Sequence, residues 1–279
     1  MGKIEKAVIT VAGKGLRMKP ITSILPKCML PIFSFNEKNE IVVEPLINTM
    51  LEKLREVKIN KFCFVVGRHG AVLMNYLFGS EASFVFQNEP IGFGDAVRRA
   101  KWFAGDDPIL VHADDGVLTG GYDVAMDLFA KESPDAVLLL RKTDNPKRYG
   151  IAEVGKEKEF EGHLAYDVLG VEEKPSFPKS NLMLSAVYLF SNKIFEELRS
   201  LKKNERTGEV ELTDAIKSMS AKGLKIKGLL LEKEKWLNVG DAVSYFSTLS
   251  FTYSEARKRA AKLNRFNPAS GKANEKKKV

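Results

Sequence analysis

Through the first 113 residues, short apolar and β-branched runs alternate with stretches whose apolar positions recur every three to four residues, the pattern of repeated strand–helix units. KAVITVA (Lys6–Ala12) reads as a strand and opens into a Gly- and Pro-containing loop that reaches Pro31. Helical spacing over Leu46–Leu54 precedes a strand at Phe62–Val66. A helix at Ala71–Phe78, a strand at Ser83–Gln87, a helix at Ala96–Phe103 and a strand at Pro108–Ala113 follow. Such alternation predicts a mostly parallel sheet covered on both faces. Strands expected at Ala136–Leu140, Ile151–Val154, Val168–Glu172 and Leu182–Phe190 are less regularly separated by helices, so the sheet is expected to continue as a mixed one. Asp241 is placed to cap a terminal helix running to Leu263. No internal repeat or hexapeptide array interrupts this order. The expectation is one α/β domain over residues 1–263, followed by a tail at 264–279.

Composition narrows the class. The 279 residues are 44% hydrophobic, enough to bury a core without staples. The two cysteines, Cys28 and Cys63, each lie in an apolar stretch, which argues against a disulfide framework or a Cys-based zinc site and points to a reducing cytoplasm. The charged start followed by a strand-length apolar run is neither a signal peptide nor a membrane span of roughly 20 residues. A net charge of +8 raises nucleic acid as a partner, but nine Lys and Arg against two Glu fall between Glu255 and Val279. The rest of the chain is close to neutral. A basic, Asn- and Lys-rich end is expected to be a solvated, disordered tail, and nucleic-acid binding is not expected.

In open α/β sheets, loops leaving the carboxyl ends of strands form the binding crevice, which directs attention to AGKGLRMKPITSILPKCMLPI after the first strand. Gly13 and Gly15 let main-chain N–H groups curl around an oxyanion. Arg17 offers bidentate contacts to phosphate, and Lys27 a compact charge able to follow a moving phosphoryl group. Met18 occupies the third glycine position of the dinucleotide fingerprint, and no Walker A pattern is present.

The string Gly13, Gly15, Arg17, Met18, Pro20, Thr22, Pro26, Lys27, Leu30 and Pro31 resembles the signature of the sugar-nucleotide pyrophosphorylases. QNEPIGFGDAVRRAK (Gln87–Lys101), Ala113–Asp115, YGI (Tyr149–Ile151) and EEKP (Glu172–Pro175) continue the resemblance in order. NLMLSAVYLF (Asn181–Phe190), GEVELTDAI (Gly208–Ile216) and WLNVGDAVSY (Trp236–Tyr245) extend it to about residue 250. The wording PKCMLPI is most similar to UTP–glucose-1-phosphate uridylyltransferases, with glucose-1-phosphate thymidylyltransferases nearby. The resemblance implies a three-layer α/β/α sandwich of the nucleotide-diphospho-sugar transferase type, a GT-A or Rossmann-like arrangement. It also implies transfer of a nucleotidyl group from UTP or dTTP to a sugar-1-phosphate, with pyrophosphate released, in an enzyme that often forms dimers or tetramers.

The same resemblance assigns roles residue by residue. Ala12, Gly13 and Gly15 would border the nucleotide, Arg17 would hold its β and γ phosphates, and Lys27 the phosphates at the reacting centre. Gln87 would read the uracil or thymine edge, while Gly92 would leave room for the base. Lys174 would bind the sugar phosphate, with Gly150, Glu173 and Asn181 around the sugar. Mg²⁺ is the implied cofactor, with Asp114 as one ligand and Asn238 where the family carries a second carboxylate. Ala113, Asp95 and Ala186 also depart from the family pattern, which leaves a non-catalytic paralogue that binds nucleotide and regulates a partner as the alternative. Of the three histidines, His69 and His163 are expected at the surface and His112 within the strand leading to Asp114.

Overall fold

The computed structural model describes residues 2–36, 38–120 and 122–266. β1 (Lys6–Val11) leads through three single 3₁₀ turns into a hairpin, β2 (Pro31–Phe35) and β3 (Ile41–Pro45). Then follow α1 (Leu46–Glu56), β4 (Lys61–Val66), α2 (Gly70–Tyr76), β5 (Ala82–Phe86), α3 (Phe93–Arg99), α4 (Lys101–Ala104) and β6 (Ile109–Ala113). The second half contains β7 (Gly116–Leu118), α5 (Asp123–Glu132), β8 (Ala136–Lys142), β9 (Gly150–Phe160), β10 (His163–Glu173) and β11 (Leu182–Phe190). α6 (Ile194–Ser200), α7 (Leu212–Ala221), β12 (Ile226–Leu230), β13 (Trp236–Asn238) and α8 (Ala242–Phe266) complete the order.

Nine strands form one sheet in the order β5-β4-β1-β6-β11-β8-β12-β10-β9. β4, β1, β5 and β6 pair in parallel, as do β8 and β12, whereas β11 and β10 run against their neighbours. The sheet is therefore mixed, with most strands pointing one way, as the sequence pattern predicts. Strand alternation divides the core in two. Ala7, Ile9 and Val11 of β1 join Leu46, Met50 and Leu54 of α1 on one face. Val8 of β1 faces the other way, with Val97 of α3 and Ile216 of α7. A sheet buried on both faces by helices is the three-layer sandwich, and it accounts for the nearly continuous apolar runs of β1, β4, β6 and β8.

Several expected boundaries move for local reasons. The helix expected at 96–103 breaks at Ala100 into α3 and α4. β9 and β10 are far longer than the short apolar runs suggested. They continue as a charged hairpin that turns at Glu161 and Gly162, both with positive φ, as a tight hairpin turn requires. Asp241 caps α8 as expected, its Oδ1 accepting the Ser244 amide hydrogen at 3.0 Å. α8 runs three residues past Leu263, and the expected tail beyond it lies outside the described residues.

Candidate active site

The loops after β1, β5 and β6 meet at one end of the sheet, where two adjoining hollows of about 440 Å³ each form a cleft. The turn after β1 is built by Gly15, whose φ of +58° is left-handed. Its carbonyl accepts the Thr22 hydroxyl at 2.7 Å, and a Cβ on Gly15 would lie 2.7 Å from the Thr22 Cβ. That glycine is thus fixed by conformation and by space. Gly13 has only the Lys27 Nζ near its missing side chain, at 3.9 Å, so Ala12, Gly13 and Gly15 present backbone to the cleft beside the Lys27 ammonium.

Lys27 is the centre of charge. Its largely buried ammonium lies 3.0 Å from Asp114 Oδ1 and 3.1 Å from Asp115 Oδ2. Burial would lower the Lys27 pKa, but the two carboxylates outweigh it and hold the ammonium above its usual range. Burial pushes the Asp114 carboxyl up, against the pull of Lys27. Asp115 is also opposed by burial, yet Lys27 and Arg17 hold it below the usual carboxylate range. Asp115 carried no role in the sequence reading. Its neighbour matched the motif, and its pairing with Lys27, 88 residues upstream, exists only because β1 and β6 lie side by side.

Arg17 is half-exposed at the rim, 3.9 Å from Asp241 Oδ2. Asn238 sits opposite Gly116 in the β13–β7 pair, and its Oδ1 accepts the Gly240 amide hydrogen at 2.8 Å. A side chain on Gly240 would touch Asn238 Oδ1, Arg17 and Asp115 at once, which brings Asn238 to the edge of the acidic pair. Among the described residues no cluster of three or more His, Cys, Asp or Glu side chains forms a metal cage. His112 is fully buried with its Nε2 2.7 Å from the Tyr122 hydroxyl and Nδ1 2.6 Å from the Ala113 carbonyl; burial lowers its pKa to about 4. Neutral His112 therefore braces the backbone that carries Asp114. His163 is not a surface residue: its side chain is largely buried against Glu234, at 2.7 Å. His69 borders the cleft.

Gln87, 2% exposed, leaves β5 at the cleft wall. Its Nε2 donates to the Gly92 carbonyl at 3.0 Å and to Asp95 Oδ2 at 2.9 Å. Asp95 is in turn gripped by Arg98 and Arg99 of α3. Burial would raise the Asp95 carboxyl, but hydrogen bonds from Gln87, Arg99 and Arg98 hold it below the usual range. Gly92, which borders the cleft, is also required to be glycine by its backbone surroundings. With φ at +130° it passes against the backbone of Val210, and a Cβ there would lie 2.4 Å from the Val210 carbonyl oxygen.

The expected sugar-side residues gather at the β9–β10 end. Gly150 pairs with Glu173 across the hairpin, and a Cβ on it would approach the Glu173 carboxylate at 3.0 Å. Lys174 holds a left-handed φ of +42°, its ammonium 3.4 Å from Glu173. Asn181 is exposed at the start of β11; among the described residues its side chain makes no hydrogen bond to Gly150, Glu173 or Lys174. Burial raises the pKa of Tyr188 in β11, and the carboxylates of Glu173, Glu211 and Asp115 add to the rise.

Comparison with known proteins agrees with this architecture. The chain is similar to the low-salt glycan biosynthesis nucleotidyltransferase Agl11 of Haloferax volcanii, 30% identical over 81% of this chain and 60% of that protein. A glucose-1-phosphate thymidylyltransferase of Streptomyces griseus is 30% identical over 85% of this chain and 62% of its own length. The chain thus spans between about half and three-fifths of the length of the curated relatives it matches. Its fold is that of a UDP-glucose pyrophosphorylase solved with UDP-glucose, with a TM-score of 0.78 at 24% identity over 90% of this chain and 99% of the other. The family model described as Nucleotidyl transferase matches residues 6–255. Since that match runs from β1 into α8 and includes every element that contributes to the cleft, the chain belongs to the nucleotidyl transferase family.

Proposed function

We propose that the protein transfers a nucleotidyl group from UTP, or from dTTP as the alternative donor, to a sugar-1-phosphate, with glucose-1-phosphate the leading candidate. The observation that carries this reading is Lys27, held between Asp114 and Asp115 beside the open backbone of Gly13. An oxygen of the sugar phosphate attacks the α-phosphorus; that P–O bond forms as the α–β anhydride bond breaks and pyrophosphate leaves. The nucleophile is already an anion, so the protein's task is positioning and offsetting charge rather than proton abstraction. Lys27 serves the reacting phosphates, Arg17 the departing pyrophosphate, Gln87 the base, Lys174 the sugar phosphate, and Glu173 the sugar hydroxyls.

Asp114 and Asp115 offer hard anionic oxygens of the type that suits Mg²⁺ and are the residues that would hold it. Bound there, the ion would neutralise triphosphate charge. Asn238 is the further candidate ligand, although its Oδ1 already accepts a hydrogen bond. The intact Lys27–acid arrangement favours an enzyme over a purely regulatory paralogue. Exposed Val243 and Phe246 on α8 support self-association as a dimer or tetramer. A cytoplasmic setting is supported by the free, buried Cys28 and Cys63, and no described helix is long and apolar enough to cross a membrane.

Pyrophosphate release measured across nucleoside triphosphates and sugar-1-phosphates tests the reading. Release with UTP or dTTP and glucose-1-phosphate is expected. A folded protein that yields none with any pair would instead favour the regulatory role.

A further inference from the structure

Gln87 is the base-reading residue of the function proposed above, and the inference here rests on that reading. A carboxamide offers two N–H donors and one carbonyl acceptor. Both donors of Gln87 are already committed, one to the Gly92 carbonyl and one to the Asp95 carboxylate. Neither partner can donate: one is a carbonyl oxygen that also accepts the Ala96 amide hydrogen, and the other is a carboxylate paired with Arg98 and Arg99. Turning the amide over would set its oxygen against two acceptors, one of them charged, inside a wall where Asp95 is 1% exposed. The amide is therefore locked. What remains for the cleft is Oε1, which meets no donor among the described residues.

We propose that Asp95 is a positioning residue for donor choice, holding Gln87 so that only a nucleobase with a ring N–H on its pairing edge is accepted. Uracil and thymine present N3–H there, and guanine N1–H. Cytosine N3 and adenine N1 carry lone pairs instead, which would face the Gln87 oxygen acceptor to acceptor. Gln87 and Asp95 are eight positions apart, and the contact is made by the first turn of α3, so it is set before any ligand arrives. A site whose polar groups are prearranged rejects the wrong partner because a buried group is left unpaired.

The test measures equilibrium binding by calorimetry, with UTP, N3-methyl-UTP, CTP and GTP, on the wild-type chain and on Asp95→Asn. Wild type should bind UTP at least about tenfold tighter than N3-methyl-UTP or CTP. Asp95→Asn, nearly isosteric, allows the Gln87 amide to turn over and should bring the UTP to CTP ratio within about threefold, at an unchanged affinity for inorganic pyrophosphate. Equal loss for all four nucleotides, or unchanged selectivity, would overturn the positioning role, as would wild-type preference for CTP. The N3-methyl comparison needs no variant, so a misfolded Asp95→Asn leaves the proposal exposed to refutation. If binding follows the expected pattern but no pyrophosphate is released with any sugar-1-phosphate, the transfer reaction fails while the base-reading role stands. Absence of nucleotide binding overturns both.

Discussion

The ammonium of Lys27 lies 3.0 Å from Oδ1 of Asp114, joining the loop after β1 to the loop after β6. Asp114 is nearly fully buried, so the pair sits in a low-dielectric wall where each charge depends on the other. Lys27→Ala should lower turnover at least about tenfold, roughly 1.4 kcal/mol of transition-state stabilisation, because no adjacent side chain replaces its charge. Initial rates of pyrophosphate release, taken well below the melting temperature of both proteins, check this. An unchanged rate would remove Lys27 from the chemistry.

Asn238 stands at the edge of the acidic pair as a neutral amide. Asn238→Asp keeps an oxygen for the Gly240 amide and adds a negative charge that hard cations favour. The Mg²⁺ concentration giving half-maximal activity should fall in this variant, with little change in melting temperature. Superimposable Mg²⁺ titrations would mean that residue 238 does not serve the ion.

Ala186 interrupts the pairing of β11 with β8 and holds a left-handed φ of +55°. That conformation costs a residue with a Cβ about 1–2 kcal/mol, while glycine loses about 0.5–1 kcal/mol of chain entropy on folding. Ala186→Gly should therefore stabilise the fold by about 0.5–1 kcal/mol, read from denaturant midpoints. A clear loss of stability would show that its methyl group packs more productively than its backbone is strained.

Glu197 of α6 receives Lys222 at 2.7 Å and the Ser218 hydroxyl at 2.6 Å, tying α6 to the end of α7. Burial would raise its carboxyl, but Lys222 and Ser218 hold it below the usual carboxylate range. A depressed folded-state pKa stabilises the fold above the unfolded value of about 4.3, and the contribution disappears as pH falls through the folded value. Lys222 is solvent-exposed, so Glu197→Gln should cost only about 1 kcal/mol at neutral pH. The melting difference from wild type should shrink as pH is lowered below about 4; a difference constant with pH would refute the ionic account.

The apolar runs of β1, β4, β6 and β11 were legible because a strand buried on both faces must be apolar at nearly every position. The short strands β7 and β13 and the β2–β3 hairpin were not. Three to five residues carry too little period to stand out from loop, and β7 and β13 find each other only across a long stretch of intervening chain. Charged Lys156–Glu159 likewise hid the length of β9, since a hairpin extending past the core needs no apolar face.

The sequence by itself determined the parallel βα order, the glycine turn after β1 and the cation at Lys27, since these rest on local conformation, periodicity and residue chemistry. Only the tertiary structure decided that Lys27 is shared by Asp114 and Asp115, that Gly92 answers to Val210, and that Asp95 fixes the amide of Gln87. Each of these depends on which strands become neighbours and how a helix is seated against them. Such relations arise when distant segments exclude water from between them, and no local pattern encodes the resulting distances.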